Sequence, residues 1–272
     1  MRYTRLSYMI TLLLLACITA KAQGDSVFQF QRHINGSFSY FSVDNLDNIY
    51  AVNSDNQLVK YGPNGDSLAS FNDVKRYGNP GSVDVTNPLK LLLYYQPYST
   101  VVVLDRLLNI RNTINFRRQN IFAVQHIATS YDNNIWIFDE QDNKLKKINE
   151  DGSVQLESND FRMIFDTVPQ PVQLIDRDNY VYLYDTAKGF YIFDYYGALK
   201  NRLPFLHWSN VEVAGKTMYG FSGNKLFSYE LNSFNLKEYS LPASLSGFTA
   251  IRAMNRKIYL LRNNGIDIYA VR

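Results

Sequence analysis

The sequence predicts an all-β fold: a six-bladed β-propeller closed by an N-terminal strand that pairs with the last blade. Three observations carry this prediction. A unit of about forty residues recurs along the chain, which is the spacing of propeller blades. The apolar runs within each unit are short and rich in Ile, Val, Tyr and Phe, as strands are. The last unit stops one strand short, while a lone strand-like segment, SVFQFQRHI, stands ahead of the first unit.

The elements follow in chain order. MRYTRLSYMITLLLLACITAKAQ reads as a secretory signal peptide over residues 1–22. Arg2 and Arg5 form the positive region, Tyr8 to Ala16 the apolar stretch, and Ala20-Lys21-Ala22 the small-x-small cleavage site before Gln23. The stretch is too short for a membrane-spanning helix. An alternative is a lipid anchor at Cys17, because Leu14-Leu15-Ala16-Cys17 resembles a lipobox, with bulky Leu15 where that motif prefers a smaller residue. Residues 23–272 then form a single domain, exported to the periplasm, the outer membrane or the medium.

The six units begin at Asp44, Thr86, Tyr131, Asp176, Ala214 and Met254. Their second strands start at Ile49, Leu91, Ile135, Val181, Met218 and Ile258, at intervals of 42, 44, 46, 37 and 40 residues. Third strands follow at Leu58, Val101, Leu145, Phe190, Leu226 and Ile266. In the first unit the four strands are placed at 38–43, 48–52, 57–61 and 67–71. Runs such as VYLY and IWIF are apolar on both faces, as expected of a blade packed between two others. Val27 to Gln31 are expected to supply the outermost strand of blade six. A sandwich of about eight or nine strands is the alternative fold.

LVKYGPNGDSL and FYIFDYYGALKNRL carry an apolar strand, an aromatic residue and a turn glycine before the outer strand. In this the chain resembles NHL-type six-bladed propellers. The units at Val101 and Leu226 lack the turn glycine. The resemblance implies a fold and a binding face and no particular reaction.

Composition narrows function. Of the 28 basic residues, Arg2, Arg5 and Lys21 fall in the leader, which leaves 25 against 25 acidic residues. A neutral chain gives no global reason to expect nucleic acid. The one cysteine, Cys17, also lies in the leader, so the mature domain is expected to be stable without a disulfide of its own. His33, His126 and His207 show no metal-ligand spacing. The acidic turns DNLDN, YDNN and DRDN are read as Asx turns rather than calcium loops. No catalytic residue, cofactor or metal site is assigned.

The loops between blades, and those joining second to third strands, gather on one face of a propeller. Their aromatic residues are candidate anchors for a protein or glycan partner: Tyr98, Phe122, Trp208 and Phe248, with His207 beside them. Tyr98 and Trp208 are expected to be exposed; Phe122 and Phe248 either anchor a partner or plug blade junctions. Three functions stay open: a non-enzymatic binding module of the bacterial envelope, an accessory or plug subunit of a type IX-like secretion machine, and a propeller hydrolase or lyase with a central metal. The Ala-Gln end of the signal resembles that of envelope proteins in bacteria using type IX secretion.

Overall fold

The computed structural model describes residues 27–271. The expected leader, its cleavage site and Cys17 lie outside the described residues. Six four-stranded antiparallel sheets form a ring. After β1 (Phe28–Asn35), blade one holds β2 (Phe38–Val43), β3 (Ile49–Asn53), β4 (Leu58–Tyr61) and β5 (Ser67–Phe71). A one-turn helix, α1 (Val74–Tyr77), leads to blade two: β6 (Ser82–Asn87), β7 (Lys90–Tyr95), β8 (Thr100–Asp105) and β9 (Ile110–Asn115). Blade three is β10 (Val124–Thr129), β11 (Ile135–Asp139), β12 (Lys144–Ile148) and β13 (Val154–Glu157). Blade four is β14 (Gln173–Arg177), β15 (Tyr180–Asp185), β16 (Gly189–Asp194) and β17 (Leu199–Leu203). Blade five is β18 (Ser209–Ala214), β19 (Thr217–Ser222), β20 (Lys225–Glu230) and β21 (Asn235–Ser240). Blade six is β22 (Ala250–Met254), β23 (Lys257–Arg262) and β24 (Gly265–Val271), completed by β1.

The N-terminal strand closes the ring as the sequence predicts, but further along than expected. It runs to Asn35 rather than Gln31, because the pairing shifts register between Phe30 and Arg32 and then continues from Arg32↔Ile268 to Asn35↔Gly265. Among the described residues no helix is long and apolar enough to cross a membrane.

Apolar side chains on both faces of the middle strands explain why the sheets stack as blades. β11 is buried at every position, and β15 at all but its first. The buried residues sort into six clusters, one per blade junction. The junction of blades six and one uses Ile34 of β1 with Phe41, Ile49, Tyr259 and Ile266. Each junction is a small core, and the ring is stable because no blade face is left without a partner.

The turns between first and second strands are wired internally. Asp44 accepts from the backbone N–H of Leu46 and Asn48 at 2.9 Å each, and its other oxygen accepts from the Asn48 amide and the Tyr50 hydroxyl. This is the Asx geometry expected of DNLDN. In the turns to the outer strands, Gly65, Gly152 and Gly197 take positive φ. In the two units without that glycine, Leu108 and Phe234 take it instead, at φ 64° and 54°. The turn geometry is thus kept against the local preference of those side chains.

Candidate functional site

Two surfaces offer function: the face carrying the blade-to-blade loops, and the central channel.

On the loop face, Tyr98 and Phe122 are exposed. Tyr98 ends a 3-10 turn, Gln96–Tyr98, and its ring edge meets Tyr77 at 6.2 Å. His207 is exposed at φ 58°, with its N–H donated to the Thr186 carbonyl at 2.7 Å. Phe248 is half-buried and packs on the core between blades five and six. Trp208 departs from expectation: it is 4% exposed. Its indole stacks on Phe205 at 4.5 Å and Phe227 at 5.2 Å, and its backbone N–H donates to the Tyr184 hydroxyl at 2.6 Å. Polar neighbours in sequence suggested a surface loop, but the chain turns Trp208 inward where the core of blades four and five has room for it. It is a core residue and cannot be a surface anchor.

The most developed feature of this face was not singled out from sequence. The connection 158–172 between blades three and four carries a turn, Phe161–Met163. Phe161 is fully buried, stacked between Phe138 at 5.4 Å and Phe193 at 5.1 Å. Asp160 caps the turn by accepting from the Arg162 N–H at 2.9 Å. With the turn pinned this way, Met163 projects to solvent, 82% exposed, and Ile164 and Val172 are exposed beside it in the same connection. The segment FRMIFDTV, apolar within a long interblade stretch, was the available signal.

The channel is lined by the first strand of each blade. The pairings Ser42↔Tyr50, Asp84↔Leu92, Ala128↔Trp136, Ile175↔Tyr182, Glu212↔Tyr219 and Arg252↔Tyr259 put six residues at one level, one per blade. Five of them line a cavity of about 330 Å³, together with Tyr40, His126, Gln173 and, one step further along, Arg177. Blade five carries Glu212, flanked by Arg177 on blade four and Arg252 on blade six. Blade two, across the ring, carries Asp84.

These charges differ in how they are held. Asp84 is committed: it accepts from the Thr86 N–H at 2.8 Å and from the Thr129 N–H. Arg252 donates through Nη1 to Asn210 Oδ1 at 2.6 Å and to the Ile251 carbonyl, over the Tyr40 and Phe41 rings. Arg177 donates through Nε to the Val213 carbonyl at 3.1 Å. No described residue hydrogen-bonds or ion-pairs with the Glu212 carboxyl. Burial pushes that carboxyl up to about 7; the two arginines hold it down in part, and Asp84 adds to the rise. Burial also lowers His126, which favours its neutral imidazole.

Past Arg177 the channel opens on the opposite face, where Tyr131 stacks on Tyr195 at 4.4 Å. There Asp176 accepts from Trp136 Nε1 at 2.9 Å and the Tyr195 hydroxyl at 2.7 Å, while burial pushes its carboxyl up. Among the described residues no three His, Cys, Asp or Glu side chains stand together as a metal-ligand set.

This geometry defines the chain as a six-bladed β-propeller with a charged central channel. No family model and no curated protein matches the sequence. Solved structures share the fold. Virginiamycin B lyase from Staphylococcus aureus is 14% identical with a TM-score of 0.57, over 85% of this chain and 80% of that one. The β-propeller domain of Myceliophteria thermophila Cps50 (Swd1) is 10% identical with a TM-score of 0.62, over 90% of this chain and 100% of that one. A Bacteroides thetaiotaomicron protein of unknown function is 12% identical with a TM-score of 0.59, over 90% and 73%. At these identities the likeness is one of fold, and a fold of this kind hosts both enzymes and binding modules.

Proposed function

We propose that this chain is an exported, non-enzymatic, NHL-like propeller that binds a protein partner in the bacterial envelope through its blade-to-blade loop face. The observation that carries this reading is the pinned turn at Phe161. A methionine held 82% exposed on a pinned turn is a ready-made anchor, because its backbone is already fixed in the free protein and only side-chain ordering is left to be met on binding. Methionine and aromatic residues are the side chains enriched at protein interfaces. Tyr98 and Phe122 extend the same face over neighbouring blades. The exposed side chains here are aliphatic, thioether and aromatic, which suits an apolar protein surface better than a glycan. The export reading rests on the N-terminal sequence.

The test compares two faces of one molecule. Met163→Asp and Phe122→Asp alter the loop face. Leu107→Asp and Phe234→Asp alter exposed turns on the opposite face. Capture of envelope proteins from the native host should fall about tenfold or more for the first pair, the loss of one strong anchor, and be unchanged for the second. The reverse pattern, at equal melting temperature, would move the interface to the opposite face and end this proposal.

A further inference from the structure

We propose that the channel at the level of Glu212 is a binding site for a small monocarboxylate, gripped by the Arg177 and Arg252 guanidiniums with Glu212 as its hydrogen-bonding neighbour. Three features of the geometry converge on this ligand. The first is unused bonding capacity. Among the described residues Arg252 is hydrogen-bonded only through Nη1, and Arg177 only through Nε. Guanidinium forks with free N–H groups on the two walls that flank Glu212 are suited to the two oxygens of one carboxylate. The Glu212 carboxyl lies between those walls, half-buried at the cavity surface, and no described residue hydrogen-bonds or ion-pairs with it.

The second feature is space. The cavity of about 330 Å³ lies within the range of small-ligand sites.

The third is charge. The charged or titratable groups that line the cavity with Glu212 are Asp84 and Tyr94 from blade two, His126 from blade three, Arg177 from blade four, Arg252 from blade six and Tyr40 from blade one; the Tyr94 hydroxyl is spent on the Val124 carbonyl. Burial disfavours a charge on His126, and Asp84 is engaged by two backbone N–H groups. With Glu212 protonated, two arginines and one aspartate leave a single positive charge. That matches a monoanion. A phosphate dianion overcharges the chamber and meets Asp84, and a cation meets two arginines. Protonated Glu212 also becomes a donor, able to bond a ligand carboxylate oxygen that its ionised form would repel. Binding therefore requires a proton on Glu212, which is available because that carboxyl is pushed up to about 7.

Butyrate is the probe, with inorganic phosphate and butylammonium as the other charge classes, titrated by calorimetry into the intact domain. Butyrate should bind about tenfold more tightly near pH 6 than near pH 8, following the protonated fraction of a group titrating at about 7. Neither phosphate nor butylammonium should compete. Arg252→Gln and Arg177→Gln should each weaken butyrate at least tenfold. Glu212→Gln, whose amide donates at every pH, should keep the low-pH affinity and lose the pH dependence. Should Arg252→Gln unfold the domain, Arg177→Gln and the carboxyl NMR titration of Glu212 still decide the matter: bound butyrate must raise the Glu212 midpoint. Absence of butyrate binding near pH 6, tighter binding of phosphate, or a Glu212 midpoint unmoved by butyrate would overturn the proposal. The loop-face variants Met163→Asp and Phe122→Asp should bind butyrate like the parent, so this test and that of the partner face fail or succeed separately.

Discussion

The indole of Trp208 owes its place in the core to a residue without a side chain. A Cβ on Gly220 would stand 2.3 Å from Trp208 Cε3, so only glycine leaves room for the ring on β19. Trp208→Ala should therefore act on stability. Removing a fully packed aromatic costs about 3–5 kcal/mol, and a chemical denaturation curve should show that loss. Tyr98→Ala, at a half-exposed site, should stay within about 1 kcal/mol of the parent. If Trp208→Ala unfolds at the parent's midpoint, the stack with Phe205 and Phe227 contributes nothing and Trp208 returns to the list of surface anchors. The same pair shows where residue-scale reading stopped. Tyr98 follows a proline in a short turn and was legible as exposed. The burial of Trp208 depends on Gly220, twelve positions on and across a strand pair, and nothing in the local sequence marks that match. Glu212 was hidden for a different reason. Register shifts interrupt β2, β6, β10 and β18, so simple alternation does not say which of their residues face the channel.

At the scale of elements, β1 ties together what the rest of the chain leaves open. Ile34 is buried between blades six and one, and Phe28 packs on the core between blades five and six. His33 Nδ1 meets Asp267 Oδ1 at 2.6 Å, and Asp267 also holds Arg262 Nε at 2.6 Å. Arg32 reaches past its own blade to the Pro63 carbonyl at 2.8 Å. Truncation through Asn35 removes the contacts of Phe28, Arg32, His33 and Ile34, leaving only the Asp267–Arg262 pair, and bares the edge of β24, with Ile266 and Ile268 exposed beside it. A bare apolar edge strand is a template for pairing between molecules. The truncated protein should melt well below the parent and elute as aggregates in size-exclusion chromatography. The milder Ile34→Ala should cost about 2–5 kcal/mol and leave the protein monodisperse. A truncated form as stable and as compact as the parent would show that the last blade needs no fourth strand. This element was legible because an unmatched strand at one end of the repeat met an unmatched edge at the other. Its length was not, since the register shift after Phe30 carries the pairing four residues beyond the apolar segment.

For the whole molecule, ring closure predicts that the place where the chain is cut matters less than the pattern the cut leaves. In the native chain one strand comes from the N-terminal side and three from the C-terminal side of the same blade. Phe28 and Val271 are directly paired, so the two ends of that ladder lie beside each other and a short linker can join them. A new opening in the turn 62–66 of blade one reproduces the same arrangement. β5 becomes the leading strand and β2, β3 and β4 the closing three, so the new termini are again stitched by a full ladder, β4 against β5. The turn is a surface connection, closed by Gly62 N–H to Asp66 O at 2.8 Å, and its loss removes little besides the Arg32 contact to Pro63. This permutant should fold to the parent's secondary structure, as permutants opened at exposed turns commonly do. A second permutant opened between β2 and β3 should fare worse. It leaves β2, the channel-lining strand with Tyr40 and Ser42, to close blade one from the end of the chain, and it breaks the Asp44 turn with its four bonds. The measurement is the difference in denaturation midpoint between the two permutants, both carrying the same linker. Equal midpoints would mean that closure by an outer strand holds no advantage, and that the six junction cores alone keep the ring together.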